Sequence, residues 1–217
     1  YTVLSMQTAW LKTHYPAEFM AAVLTHNKND IVKLNFFLRE CKRMNIPVLP
    51  PDVNESNINF TVNAKGAIRF GLSALKNMGE GSGDDIINER KANGPFQSIF
   101  DLTSRVNLKA VNKKALEALV MGGGLDCFEG THRAQYFAPT DKYESLIEHA
   151  IRYGQSVQAQ ASQTQLTLFG DSSSNMFQAP TMPQVPQWSL IEKLTREKEI
   201  TGIYMSGHPL DDYRLEI

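Results

Sequence analysis

Apolar side chains recur every three or four residues through most of this chain, a spacing that places them on one face of a helix. In residues 2–14, Val3, Met6, Trp10 and Leu11 share such a face. Pro16, tolerated at a helix's first position, opens the next stripe of Phe19, Met20, Val23 and Leu24. Asp30 is placed to cap a third helix bearing Ile31, Leu34, Leu38 and Cys41, which Asn45 and Pro47 end. Beyond Pro50-Pro51 the period shortens to two. Ile58, Phe60 and Val62 alternate, Asn63-Ala64-Lys65-Gly66 supplies a turn, and Ile68 and Phe70 alternate again, which predicts a β-hairpin.

The helical period returns at Leu72, Leu75 and Met78, runs into Gly79-Glu80-Gly81-Ser82-Gly83, and resumes with Ile86 and Ile87. Two short apolar helices around a glycine-rich turn make a helix-hairpin-helix. Glycines let another backbone come close, and the free amides of a new helix suit a phosphate. Lys76 would add a mobile charge. The same turn also serves simply to pack two helices, and the residues alone leave both readings open. After Gly94-Pro95, Ser98 caps a helix through Ile99, Leu102 and Val106. A partner, Asn112–Gly122, carries Leu116, Leu119 and Val120 and closes on Gly122-Gly123-Gly124. Two helix pairs therefore stand in tandem, the second without a Gly-x-Gly. A further helix over about 141–153 (Tyr143, Leu146, Ile147, Ala150, Ile151) is predicted to stop at Gly154. From Gln155 to Trp188 periodicity fades into Gln, Ser, Pro and Thr, the composition of a flexible linker. Helical pattern resumes over Leu190–Glu199, and residues 202–210 read as a strand and turn leading into a further domain.

Composition adds limits. The 217 residues, 42% of them hydrophobic, suffice for one large domain or two small ones. No run approaches the roughly 18 apolar residues of a membrane span, and no signal peptide opens the chain, so the expected setting is cytoplasmic, without a membrane partner. The chain opens inside a helical pattern, as an excerpt of a longer polypeptide would. Net charge is −1, but basic residues cluster: Arg39, Lys42 and Arg43; Lys65, Arg69 and Lys76; Arg105, Lys109, Lys113 and Lys114. Because screening confines charge effects to about 10 Å, such patches can hold phosphate on a neutral protein; they are also what a solvated surface looks like. Cys41 and Cys127 are isolated, and the five histidines are scattered without metal-ligand spacing. Asp84-Asp85 and Asp211-Asp212 are adjacent pairs that diverge by about 100° on a helix, unlike the converging carboxylates of a two-metal centre. Asp84-Asp85 is better explained as favourable charge in a helix's first turn. Neither a catalytic residue nor a resident cofactor is expected in this segment.

One island interrupts the linker: Gln165-Leu166-Thr167-Leu168-Phe169. Burying each large apolar side chain in a partner's pocket would contribute roughly 1.5–3 kcal/mol, less the cost of ordering the segment. The alternative is that it folds back on this chain's own helices. The pentapeptide resembles the motif by which bacterial replication proteins bind the ring-shaped sliding clamp, with Gln165 at the pocket's edge and the Leu168-Phe169 pair on its floor.

Longer strings point the same way. Residues 5–22 (Ser5-Met6-Gln7-Thr8-Ala9-Trp10 through Ala22), Val48-Leu49-Pro50-Pro51-Asp52-Val53-Asn54 and Ile68-Arg69-Phe70-Gly71-Leu72 resemble the fingers of the alpha subunits of bacterial DNA polymerase III, the C-family replicative polymerases. Val111–Leu119 with Gly124-Leu125-Asp126 resembles their second helix-hairpin-helix region, and Gly207-His208-Pro209-Leu210 the entry to their OB-fold. The resemblance runs in order along essentially the whole chain. It implies a mainly α fold with a small β-hairpin: the end of the fingers over 1–70, a tandem helix-hairpin-helix domain over 71–154, a flexible linker with the clamp peptide over 155–188, and the entry to an OB-fold over 189–217.

It also implies a parent DNA-directed DNA polymerase using Mg²⁺ at a palm outside this segment, which alone would be inactive. The expected partners are DNA, the sliding clamp (beta subunit) and other replicase subunits. Candidate DNA contacts are Lys76, Gly79, Gly81, Ser82, Lys109, Lys113, Lys114, Arg39, Arg43 and Arg69; candidate clamp contacts are Gln165, Leu166, Leu168 and Phe169. Gly83, where an apolar residue often follows the second hairpin glycine, is a departure that loosens the start of the helix. The rival reading is a non-enzymatic helical scaffold whose linker peptide binds a protein partner.

Overall fold

The computed structural model describes residues 1–166, 179–207 and 209, without the side chains of 162–166. The fold is mainly α with a small sheet, as expected. Three helices come first: α1 Thr2–His14, α2 Pro16–His26 and α3 Ile31–Arg43. The Asp30 side chain caps α3 by accepting from the Lys33 amide at 3.1 Å. Met20, Ala21 and Leu24 of α2 and Leu34 and Cys41 of α3 are buried. The apolar stripe of α1 is not covered: Val3, Met6 and Trp10 are 63, 67 and 52% exposed.

The expected hairpin is present as β2, Thr61–Val62, antiparallel to β3, Ile68–Arg69. Gly66 takes φ +77° in the turn between them, a conformation L side chains rarely adopt. A further strand, β1 at Val48–Leu49, pairs parallel with β3, giving the order β1-β3-β2. At two residues β1 is too short to show an alternation, and the following prolines hide it.

The first hairpin differs in detail from its prediction. Its entry is a single 3-10 turn, Leu72–Ala74, and α4 spans Glu80–Asn93, so Gly81, Ser82 and Gly83 lie inside the helix. The reversal falls earlier, at Asn77, with φ 67°. Asp84 and Asp85 therefore sit beyond the first turn of α4, whose acidic residue is Glu80. The second pair is α5, Ile99–Arg105, and α6, Lys113–Gly122, capped by Ser98 and Asn112. Leu116 and Leu119 of α6 are fully buried, each contributing roughly 1.5–3 kcal/mol.

A short helix α7, Arg133–Phe137, leads to α8, Leu146–Leu166, which starts later than predicted and runs through Gly154 to the peptide island. Gly154 does not terminate it. A Cβ there would strike the Thr103 carbonyl, so this glycine permits the close crossing of α5 and α8. One turn on, the Gln158 side-chain amide donates to the carbonyls of Thr103, Ser104 and Val106 at 3.0, 3.2 and 2.9 Å, satisfying the end of α5. The Gln-rich composition of a linker here serves a helix–helix contact.

Residues 179–189 lie along α7: Gln135 Nε2 donates to the Pro183 carbonyl at 2.9 Å, and the Trp188 ring meets Phe137. Helix α9, Leu190–Thr201, packs on α6. No strand forms among the described residues 202–207. A continuous apolar core runs from Met20 through Phe70, Ile86 and Leu116 to Ile203.

Candidate nucleic-acid interface

The two hairpin turns meet. Ser82 Oγ, in the first turn of α4, donates to the Ala110 carbonyl at 2.7 Å, and the Asn107 amide donates to Asp85 Oδ2 at 2.7 Å. These two bonds hold the start of α4 against the loop that precedes α6.

At the first hairpin, the amides of Ser82 and Gly83 close back on the Gly79 carbonyl at 3.1 Å. Those of Gly79, Glu80 and Gly81 find no acceptor among the described residues. Gly79 and Gly81 are exposed. A Cβ on Gly81 would meet nothing within 4 Å, whereas one on Gly83 would come 2.6 Å from Ile58 Cδ1. Gly81 thus keeps an outward approach clear, and Gly83 lets α4 pack on the segment between β1 and β2. Lys76 is exposed at its side chain, while its amide donates to the Ile200 carbonyl of α9 at 2.9 Å.

At the second hairpin, Asn107 Oδ1 accepts from the Lys109 amide at 3.0 Å and Asn112 Oδ1 from the Ala115 amide at 3.1 Å. The Lys113 and Lys114 amides open α6 without acceptors among the described residues. Three exposed lysines rim this turn: Lys109, Lys113 and Lys114. Lys113 donates to Glu148 of α8, which raises the lysine's pKa and lowers that of Glu148.

The candidate DNA contacts therefore divide. Lys76, Gly79, Gly81, Lys109 and Lys114 are exposed at the two turns. Ser82 is buried and its hydroxyl is engaged with the second hairpin. Lys113 carries an internal carboxylate partner. Arg69 is held by Glu55 and by the Pro50 carbonyl, with 12% of its side chain exposed. Arg43 grips Glu40 through two nitrogens at 2.8 and 2.7 Å, and with Lys12 draws that carboxyl down to about 2. Arg39 is exposed on α3. Among the candidate clamp contacts, the side chains of Gln165 and Leu166, and all of Leu168 and Phe169, lie outside the described residues, as does Asp211-Asp212.

Sequence reasoning missed the residues that lock the turns together. Asp85 read as helix-start charge, whereas its carboxylate accepts from the Asn107 backbone amide, a contact between two turns that no local pattern announces. Burial raises the Cys41 thiol to about 11, and desolvation with the nearby Asp52 carboxylate pushes that of Cys127, an exposed residue, up to about 12. Among the described residues no group of His, Cys, Asp and Glu could hold a metal ion, and no helix is long and apolar enough to cross a membrane.

A 3-10 turn with α4, and α5 with α6, set two touching turns with open helix-start amides side by side, and the helix-hairpin-helix motif family model matches residues 45–136. Along its whole length the chain is similar to segments of DNA polymerase III subunit alpha. It is 40% identical over 223 residues to the protein of Vibrio cholerae serotype O1 and 37% identical over 230 residues to that of Pseudomonas aeruginosa. Identity with the Thermus aquaticus protein is 39% over 213 residues, 98% of this chain. The chain spans 18, 19 and 16% of the lengths of those three relatives.

Proposed function

We propose that this chain is the part of a replicative DNA polymerase alpha subunit that holds duplex DNA by its backbone and tethers the polymerase to the sliding clamp. The observation that carries the reading is the side-by-side packing of the two hairpin turns, each presenting free amides beside an exposed lysine. Backbone amides and ammonium groups bind phosphate without reading bases, as an enzyme that moves along any sequence requires. The palm lies outside the segment, so nucleotide addition belongs to the parent and the chain alone is inactive. Gln165, Leu166, Leu168 and Phe169 form the clamp peptide, and α8, fixed on α5, brings the chain to it. Two weak attachments on one chain reinforce each other through effective concentration.

Duplex binding followed by fluorescence anisotropy across a salt series tests the first half. Affinity falls steeply with salt, and Lys76→Ala with Lys114→Ala weakens binding and flattens the log–log slope by about 0.9 per lost contact. A flat response in the wild type would overturn it. That outcome favours the scaffold reading, for which the Lys76 amide bonded to α9 and the buried Ser82 already speak. Calorimetry with the sliding clamp tests the second half: Leu168→Ala plus Phe169→Ala abolishes binding, and equal binding by both proteins would move the contact elsewhere.

A further inference from the structure

A lysine from outside the hairpins reaches the first of them. Lys28 lies in the turn between α2 and α3, and its Nζ donates to Ser73 Oγ at 2.9 Å and to Glu80 Oε1 at 3.2 Å. Ser73 is itself fixed, its hydroxyl donating to the Ile58 carbonyl at 2.7 Å. The two charged partners differ in freedom: the Lys28 side chain is 17% exposed, that of Glu80 71%. The ammonium is held in place along its stem while the carboxylate sits on the rim, between Gly79 and Gly81. An exposed carboxylate held by one ammonium is weakly retained, and it is the same kind of oxyanion as a phosphodiester.

We propose that Lys28 is a further phosphate-contacting residue of the first hairpin, and that Glu80 is its resident counter-ion, displaced when a DNA phosphate arrives. The proposal rests on the duplex-binding reading. The cation is slow to follow the departing carboxylate, because Ser73 holds it and its side chain is mostly covered, so Glu80 swings outward and Lys28 stays. An acidic residue beside a phosphate-binding turn then has a purpose: it keeps a partly desolvated ammonium paired until DNA is present. Because Lys28 extends from the helices at the start of the chain, occupancy of the hairpin would also change the charge balance at the end of α2.

The test is anisotropy with a labelled duplex of about 20 base pairs, using the full chain as wild type, Glu80→Gln, Lys28→Met and the double variant. Glu80→Gln tightens binding roughly two- to fivefold, the range for releasing one exposed ion pair. Lys28→Met weakens it about fivefold and makes the log–log salt slope shallower by about 0.9. The gain from Glu80→Gln shrinks in the Lys28→Met background, since no ammonium remains to be freed. A purely structural ion pair would behave differently, both single variants weakening binding together. Thermal melts check that each variant folds, and Lys28→Arg restores affinity if loss of the charge is the cause. Unchanged or weaker binding by Glu80→Gln, or an unchanged slope in Lys28→Met, overturns the proposal. A wild type that shows no salt-dependent binding overturns the duplex reading itself, and this proposal with it.

Discussion

In the first hairpin the chain reverses at Asn77, with φ 67°, and no side chain caps α4; in the second, Asn112 caps α6 and the Asn107 side chain takes up the Lys109 amide. The first leaves its helix-start amides open and depends on neighbours for its shape. Its turn is bonded to α9 through Lys76 and Ile200, and to the α2–α3 turn through Lys28. The second stabilises itself with its own asparagines and brings its charge as lysines. One arrangement is built from glycine and borrowed contacts, the other from side-chain caps, and the bonds of Ser82 and Asp85 make them a single surface. A helix-hairpin-helix is thus a geometry that more than one residue chemistry can reach.

The strongest way to break the comparison is to remove what the two hairpins share. Glu197 of α9 is fully buried and accepts from Arg133 Nη1 at 2.7 Å, from the Met205 and Ser206 amides at 3.1 and 3.0 Å, and from the Ser206 hydroxyl. Arg133 in turn donates to Asp126 and to the Met121 carbonyl at the end of α6. Glu197→Ala leaves a buried guanidinium short of a partner, and the expected loss is about 3–5 kcal/mol of stability by denaturant unfolding. Hydrogen exchange locates the damage. If α9 supports the first hairpin as well as the second, the Lys76 amide loses protection together with those of α6. Protection retained at Lys76 would show that the first hairpin stands without α9.

How much of this was legible follows from the range of each interaction. Caps and helical stripes are local, so α3, α5, α6 and α9 could be read from Asp30, Ser98 and the spacing of their apolar residues. Gly154 could not, because its meaning lies in the Thr103 carbonyl of another helix, and a lone glycine reads as a stop. The glycines at 79–83 announced a hairpin but not where the chain turns, since Asn77 tolerates positive φ and takes that role. Arg69 and Lys113 read as free cations because their carboxylate partners, Glu55 and Glu148, are set by tertiary packing. The glycines and lysines of the two turns mark a candidate region in the sequence; which of its cations carry a carboxylate partner is a property of the fold.

Gly81 and Gly83 sharpen the comparison at the smallest scale. They are two residues apart in one glycine-rich string and look equivalent in sequence, yet the space around them is opposite. A methyl at position 83 lands 2.6 Å from Ile58 Cδ1, with Leu72 Cβ at 3.6 Å. Gly83→Ala therefore forces the terminal methyl of the half-buried Ile58 aside, and the gain in helix propensity offsets most of the crowding; a net loss below about 1 kcal/mol is expected in thermal or denaturant unfolding. A methyl at position 81 meets nothing within 4 Å, so Gly81→Ala leaves stability unchanged or raises it by up to about 1 kcal/mol. If open amides at the first hairpin receive a phosphate, that same methyl stands in its path, and duplex affinity falls several-fold in a protein that is no less stable. Loss of binding without loss of stability is a signature that a packing turn cannot produce. Unchanged affinity in Gly81→Ala would leave the phosphate contacts to the lysines and asparagine-capped turn of the second hairpin, and would make the first a support for it.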